Sequence, residues 1–283
     1  MSLTDIQKIE AKKLYEQGLG SPTIARMLGV KTGAISYYIG QYVGLRTCSE
    51  AARKYSYDEQ YFNRIDSADK AYWLGFIYAD GYITRSKYNY ILGIAISVKD
   101  IKHLYNFRKC INSNHPIHQY TVANGYNKGS KYCRIQICNQ ILYQQMIKFG
   151  VFENKTSILK PPPIDKKLFK HFLRGYFDGD GSITKSNRAN GRVEYAIKIL
   201  GTNDLLMSIK DFIESNDIAK INRFYKRHPT DIVESIEFAG NYQVLKFCKI
   251  IYEDSTMHLE RKFQRYIELS SMLNSRVISK DIA

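Results

Sequence analysis

The sequence predicts an α+β chain, with a small all-α module at the N-terminus followed by two tandem αββαββα repeats. Three observations lead there. Residues 1 to about 46 carry helix caps and stops at short intervals. From Ala71 onward, one stretch of the chain recurs at an offset of 100 residues. Each copy opens on an apolar helical run ending in Asp-Gly and then alternates as strands do.

In the module, a first helix is expected from Asp5 to Gln17, with Thr4 as its cap and Ile6, Ile9, Ala11 and Leu14 as its apolar set. Gly18 ends it. Ser21 and Pro22 open a second helix bearing Ile24, Ala25 and Leu28, and Gly29 stops it. Thr32 is expected to cap a third, with Ile35 and Ile39 inward and Ser36 and Tyr37 outward. The string PTIARMLGVKTGAISYYI resembles a DNA-binding helix-turn-helix, in which a glycine turn sets two helices at a steep angle. That resemblance assigns residues 1–46 to such a module and Lys31, Thr32, Ser36 and Tyr37 to DNA contact. A plain three-helix bundle has the same punctuation. With Lys8, Lys12, Lys13, Arg26, Lys31 and Arg46 against Asp5, Glu10 and Glu16, the module is only mildly basic.

Composition narrows the class. The 283 residues are 44% hydrophobic, enough for a folded core, and 42 basic against 27 acidic side chains leave a formal charge of +15. A surplus of that size points to a polyanionic partner, with nucleic acid first. Membrane binding has nothing else behind it, because no apolar run approaches a bilayer span and the first residues lack a signal peptide's apolar core. The 23 tyrosines fit a protein that offers hydroxyls to phosphates and bases, and they fill strands equally well. Five scattered cysteines argue against a disulfide framework and for a reducing, intracellular (cytoplasmic or similar) compartment. His115, His118, Cys133 and Cys138 lie close in sequence, but KYCRIQICN alternates as a strand, so its two cysteines fall on opposite faces and zinc is not expected.

A polar connector at 47–58 leads to repeats at 59–163 and 164–283. Each repeat should run as a helix ending in Asp-Gly, a hairpin with basic turns, a helix, a second strand pair, and a closing helical stretch. The second pairs are expected near His118 to Gln140 and Ile221 to Gly240, and Pro161-Pro162-Pro163 separates the copies as a stiff linker.

The opening helices carry the chemistry. LGFIYADG contains Gly75 and Ala79, and LRGYFDGDG contains Gly175 and Gly179, each pair four apart and so on one helix face. Glycine inside a helix costs up to about 1 kcal/mol against alanine, so such bare faces imply close contact that offsets the loss. Gly81 and Gly181 are expected to take left-handed caps, leaving Asp80 and Asp180 projecting from the last turns. Two carboxylates at the negative ends of parallel helices repel one another and imply a cation beside them, and hard oxygen ligands suit Mg²⁺.

These residues resemble the paired signature of the LAGLIDADG homing endonucleases, over about 200 residues from near Ala71 to near Leu269. The resemblance implies pseudo-twofold symmetry about the helix pair and two antiparallel sheets forming a saddle over double-stranded DNA with a long specific site. It implies a monomer that hydrolyses both strands across the minor groove with two or more Mg²⁺ ions, leaving 3′ overhangs. Metal binding then falls to Asp80 and Asp180, with the carbonyls of Ala79 and Gly179 as further ligands. Lys155 and Lys262, 75 and 82 residues past their aspartates, take the place of the family's catalytic basic residues, and Arg261 competes for the second role. Tyr78 departs from the family's usual acid, present in the other copy as Asp178. Arg174 stands where a small residue is common and puts the helix contact of the second copy in question.

In YILGIAISV, Leu92, Ile94 and Ile96 should pack inward and leave the other face for DNA. Basic and amide residues fall at the expected turns: Arg85, Lys87 and Asn89; Asn127, Lys128 and Lys131; Lys185, Asn187, Arg188 and Arg192; Arg223, Lys226 and Arg227. Each alone reads equally as a solvated loop charge. Two other classes remain open: a DNA-binding regulator that does not cut, and a maturase that holds intron RNA.

Overall fold

The computed structural model describes residues 3–44, 54–87, 89–125, 127–189 and 191–281. The chain divides into two compact units, Met1–Ser56 and Tyr57–Ala283, each with its own apolar core. Most of the expected connector, with Arg46, lies outside the described residues. Tyr57 and Asp58, assigned to it by composition, belong instead to the second unit, where the Asp58 N–H donates to Ile111 O at 2.8 Å.

The described residues of the first unit form three helices: α1 (Asp5–Glu16), α2 (Ser21–Leu28) and α3 (Thr32–Tyr38), the last continuing as a π turn through Ile39–Val43. Thr4 and Gln7 form a reciprocal capping box, and Gly29 closes α2 in the left-handed region at φ 65°. Two expectations need correcting. Lys31, not Thr32, caps α3, and it does so without a side-chain bond. Ile6 and Ile9 are 81% and 70% exposed, because α1 turns Ala11, Leu14 and Tyr15 to the core. That stripe starts one residue later than the isoleucines suggest. Ile35 and Ile39 are buried, while Lys31, Thr32, Ser36 and Tyr37 are exposed.

The second unit contains both repeats around a single core. The first runs α4 (Ala68–Asp80), β1 (Gly81–Arg85), β2 (Tyr90–Ser97), α5 (Ile101–Cys110), β3 (His118–Thr121), β4 (Lys131–Cys138) and α6 (Gln140–Lys148). The second runs α7 (Phe169–Asp180), β5 (Gly181–Asn187), β6 (Val193–Gly201), α8 (Asn203–Ser215), β7 (Glu234–Ala239), α9 (Asn241–Tyr252) and α10 (Glu260–Asp281). This is the mixed α+β repeat predicted, with one correction. The strand expected near Ile221 shrinks to a single bridge between Tyr225 and Ser235, so the second copy has one strand fewer.

Both sheets are antiparallel, ordered β1-β2-β4-β3 and β5-β6-β7. Strand alternation sends Leu92, Ile94, Ile96, Cys133, Ile135 and Ile137 into the core. Cys138 is exposed on the opposite face from Cys133. Among the described residues no helix is long and apolar enough to cross a membrane.

Candidate active site

Helices α4 and α7 lie against each other through the faces the glycines leave bare. A Cβ on Gly75 would fall 2.0 Å from Phe172 O, and one on Gly175 would fall 1.9 Å from Tyr72 O. Backbone therefore touches backbone, and any side chain at these positions would force the helices apart. The relation is symmetric, since residues 72 and 172 are themselves 100 apart. Stacking repeats it, with Tyr72 over Phe76 and Phe172 over Tyr176 at ring-centroid distances of 6.3 and 6.2 Å. The helices meet at their C-terminal ends too, where a Cβ on Gly179 would lie 2.2 Å from Ala79 Cβ and 3.3 Å from Asp80 Oδ2.

Gly81 and Gly181 are not left-handed caps. Their φ values are −83° and −90°, extended backbone that leads straight into β1 and β5. Glycine is needed there for room, because a Cβ would lie 2.7 Å from Ile77 Cα in one repeat and 2.0 Å from the Phe177 ring in the other. In each repeat the chain thus turns from helix to strand within one residue, which holds Asp80 and Asp180 at the turn.

The electrostatics of the two aspartates follow from this placement. Burial and then the neighbouring Asp180 charge push the Asp80 carboxyl up to about 6, against Lys262 and Lys155, which pull it down. Burial also raises Asp180, opposed by Lys155 and Lys262. Among the described residues neither carboxylate is in an ion pair. Two half-buried carboxylates kept above their ordinary range fit a divalent cation with oxygen ligands.

The two lysines arrive from distant segments and do matching things. Lys155 Nζ donates to Ala79 O at 3.0 Å and Gly81 O at 2.7 Å. Lys262 Nζ donates to Phe177 O at 2.6 Å, Asp178 O at 2.7 Å and Gly179 O at 3.3 Å, and also to Gly181 O. Each ammonium therefore caps the orphan carbonyls at the negative end of one helix. Burial pulls Lys262 down to about 8 and lowers Lys155, with the aspartates opposing. The carbonyls of Ala79 and Gly179, expected as metal ligands, are engaged by these ammonium groups. Arg261 is instead bonded to Asp100 Oδ2 at 3.0 Å.

Arg174 does not disturb the helix contact. Its guanidinium lies 5.3 Å over the ring of Tyr72 on α4, while its Nε donates to Met257 O at 2.8 Å and its Nη1 to Ile251 O at 2.9 Å, so it also holds the chain before α10. Asp178 is fully buried and accepts from the hydroxyls of Tyr72 and Tyr252 at 2.7 and 2.6 Å and from Leu259 N at 2.7 Å. Sequence reading singled out neither role. The buried tyrosines at 72 and 252 were the available signal, since such hydroxyls need partners.

On the first sheet, paired positions place Tyr82, Gly93 and Gln136 in one row of the open face and Ala95, Arg134 and His118 in the next. Arg134 lies 5.3 Å over the Tyr120 ring. Sequence reasoning passed over Tyr82, Arg134, Gln136 and His118 because it looked to turns, although the alternation in KYCRIQIC already separated Arg134 and Gln136 from the core set. Of the turn residues, Arg85, Lys87, Asn89, Asn127, Lys128 and Lys131 are exposed.

The second sheet carries its charge differently. Lys185 pairs with Glu268, Arg188 with Glu194, and Lys226 with Glu234 at 3.6 Å, while on the open face Lys198 pairs with Glu237 at 2.7 Å. Arg223 packs 4.7 Å over the Tyr225 ring; Asn187, Arg192 and Arg227 are exposed.

Residues 170–251, which take in all but the first residue of α7 and the strands β5, β6 and β7, match the family model described as a LAGLIDADG-like domain. The structure is similar to the LAGLIDADG homing endonuclease I-GzeII in complex with a DNA target, at TM-score 0.51 and 12% identity, covering 73% of this chain and 91% of that one. The LAGLIDADG homing endonuclease I-LtrWI bound to target DNA aligns at TM-score 0.47 and 14% identity, over 77% and 92% of the two chains. At 12% identity the likeness to I-GzeII is one of fold, and the LAGLIDADG meganuclease fold is the architecture described above. No curated protein matches the sequence. Of the two paired helices, α7 falls within the residues the family model matches and α4 lies outside them.

Proposed function

We propose that this protein is a site-specific double-strand DNA endonuclease acting as a monomer. The observation that carries the reading is the meeting of Asp80 and Asp180 at the ends of two glycine-faced helices, with one lysine capping each end. The LAGLIDADG-like domain supports it, as does the fold shared with a homing endonuclease solved in complex with its DNA target.

Asp80 and Asp180 are the residues that would hold Mg²⁺. Bound there, the ion supplies Lewis acidity and lowers the pKa of water close to the scissile phosphate. The chain's own groups do the rest. The aspartates fix the pocket, and Lys155 and Lys262, one per repeat, place positive charge where phosphate charge develops. By the pseudo-twofold relation one lysine would serve each of two phosphates, one per strand, and cutting across the minor groove to leave 3′ overhangs belongs to the proposed activity. On the open faces of the sheets, Arg134, Gln136, Tyr82 and the turn residues from Arg85 to Arg227 grip phosphates and read base edges. Lys31, Thr32, Ser36 and Tyr37 present the N-terminal unit to flanking DNA.

Selection of cleaved sites from a randomised duplex library tests the reading. Cleavage with Mg²⁺ that stops in EDTA, and in Asp80→Asn or Asp180→Asn, supports it. Sequence-specific binding without cleavage would make the protein a regulator, and selective binding of structured RNA a maturase.

A further inference from the structure

We propose that Tyr78 and Asp178 are positioning residues for the two lysines, each tethering the backbone segment that delivers one, an inference that rests on the endonuclease reading above. The two stand at equivalent places, two residues before Asp80 and Asp180, and both are buried. The Tyr78 hydroxyl donates to Phe149 O, six residues before Lys155. Asp178 Oδ2 accepts from Leu259 N at 2.7 Å, three residues before Lys262.

The surroundings of each tether serve the same end. Gly150 lets the chain pass the tyrosine, since a Cβ there would lie 2.5 Å from the hydroxyl. Beyond Lys155, the Thr202 hydroxyl donates to Leu159 O, so the lysine sits between two anchors. In the second repeat Leu259 O accepts from Lys262 N at 3.0 Å, which passes the anchor directly to the lysine's own backbone. A lysine stem is flexible and carries much rotamer freedom, so the ammonium is only as well placed as the backbone beneath it.

The chemistry of the two tethers is inverted. In the first repeat the segment offers a carbonyl, which needs a donor, and a phenol supplies it. In the second the segment offers an N–H, which needs an acceptor, and a carboxylate supplies it. The departure at Tyr78 from the acid of the other copy is thereby explained by what the facing backbone presents.

Tyr78→Phe is the cleanest test, because it keeps the ring and its packing on Phe172 and removes only the donor. On a duplex labelled on each strand, the variant should slow cleavage of the one strand that Lys155→Met also slows, by roughly tenfold, so that nicked duplex accumulates while DNA affinity is unchanged. Asp178→Asn should slow the opposite strand. In the free protein, without DNA or metal, amide hydrogen exchange at residues 150–157 should quicken in Tyr78→Phe. Equal loss on both strands, or none, with wild-type cutting intact would overturn the proposal and leave the endonuclease reading standing. If the wild type cuts no duplex, that reading fails, and unchanged exchange at 150–157 overturns the tether as well.

Discussion

Asp80 is a carboxylate that folding makes easier to protonate, and two consequences follow at the scale of the residue. Its folded-state value of about 6 stands above the ordinary 3.8, so the native state binds a proton that the unfolded chain has already released across that window. Stability of the metal-free protein should therefore rise as pH falls from about 6 towards 4, and the full penalty applies above 6. Asp80→Asn removes the penalty and should stabilise the metal-free protein at pH 7.5 by up to about 3 kcal/mol, read by urea unfolding, while abolishing cleavage. On the proposed reading the ionised form is the one that holds a cation, and a bound cation opposes protonation, so at Mg²⁺ too low to saturate the site cleavage should fall as pH drops through about 6. A rate that is flat from pH 7.5 to 5 would contradict this. Both aspartates were legible in the sequence, because Asp-Gly ends each copy of a repeated helix. The occupation of the Ala79 and Gly179 carbonyls by lysines was not. Those contacts join residues more than 70 positions apart, and no local pattern encodes them.

At the scale of the element, the helix pair was the most legible feature, since small residues four apart carry their own steric meaning. Gly175→Ala should destabilise the core unit by at least about 1–3 kcal/mol, because its new methyl would meet the Tyr72 carbonyl at 1.9 Å. Gly33→Ala is the contrast. Gly33 lies in α3 with nothing within 4 Å of the added carbon, so this change should stabilise the N-terminal unit by about 0.5–1 kcal/mol. Similar losses at both sites in thermal melts would mean that the close approach of α4 and α7 is not what selects glycine. Two element readings failed for physical reasons. Ile6 and Ile9 suggested the wrong stripe because α1 has apolar residues on more than one side, and tertiary packing chose the one with Ala11, Leu14 and Tyr15. The missing strand near Ile221 lies in a stretch rich in charge, where one bridge at Tyr225 replaces a ladder.

At the scale of the whole molecule, the net charge of +15 predicts DNA binding that weakens steeply with salt. Arg134→Ala on the open face of the first sheet should reduce the slope of log affinity against log salt by about one. Lys198→Ala on the second sheet should change it less, because that lysine is already paired with Glu237. The division into two units, each with its own core, predicts that the chain lacking residues 1–56 keeps the thermal transition of the core unit. The order of the repeats was readable from the 100-residue offset alone, whereas the charge difference between the sheets emerged only once strand register set Lys198 opposite Glu237 and α10 brought Glu268 to Lys185. The most direct test of the account is anomalous diffraction from crystals of the protein with its selected DNA site and Mn²⁺. The account predicts ion density at coordination distance from both Asp80 and Asp180, at the ends of α4 and α7. Density beside only one of them, or ions bound elsewhere with both carboxylates unligated, would contradict it.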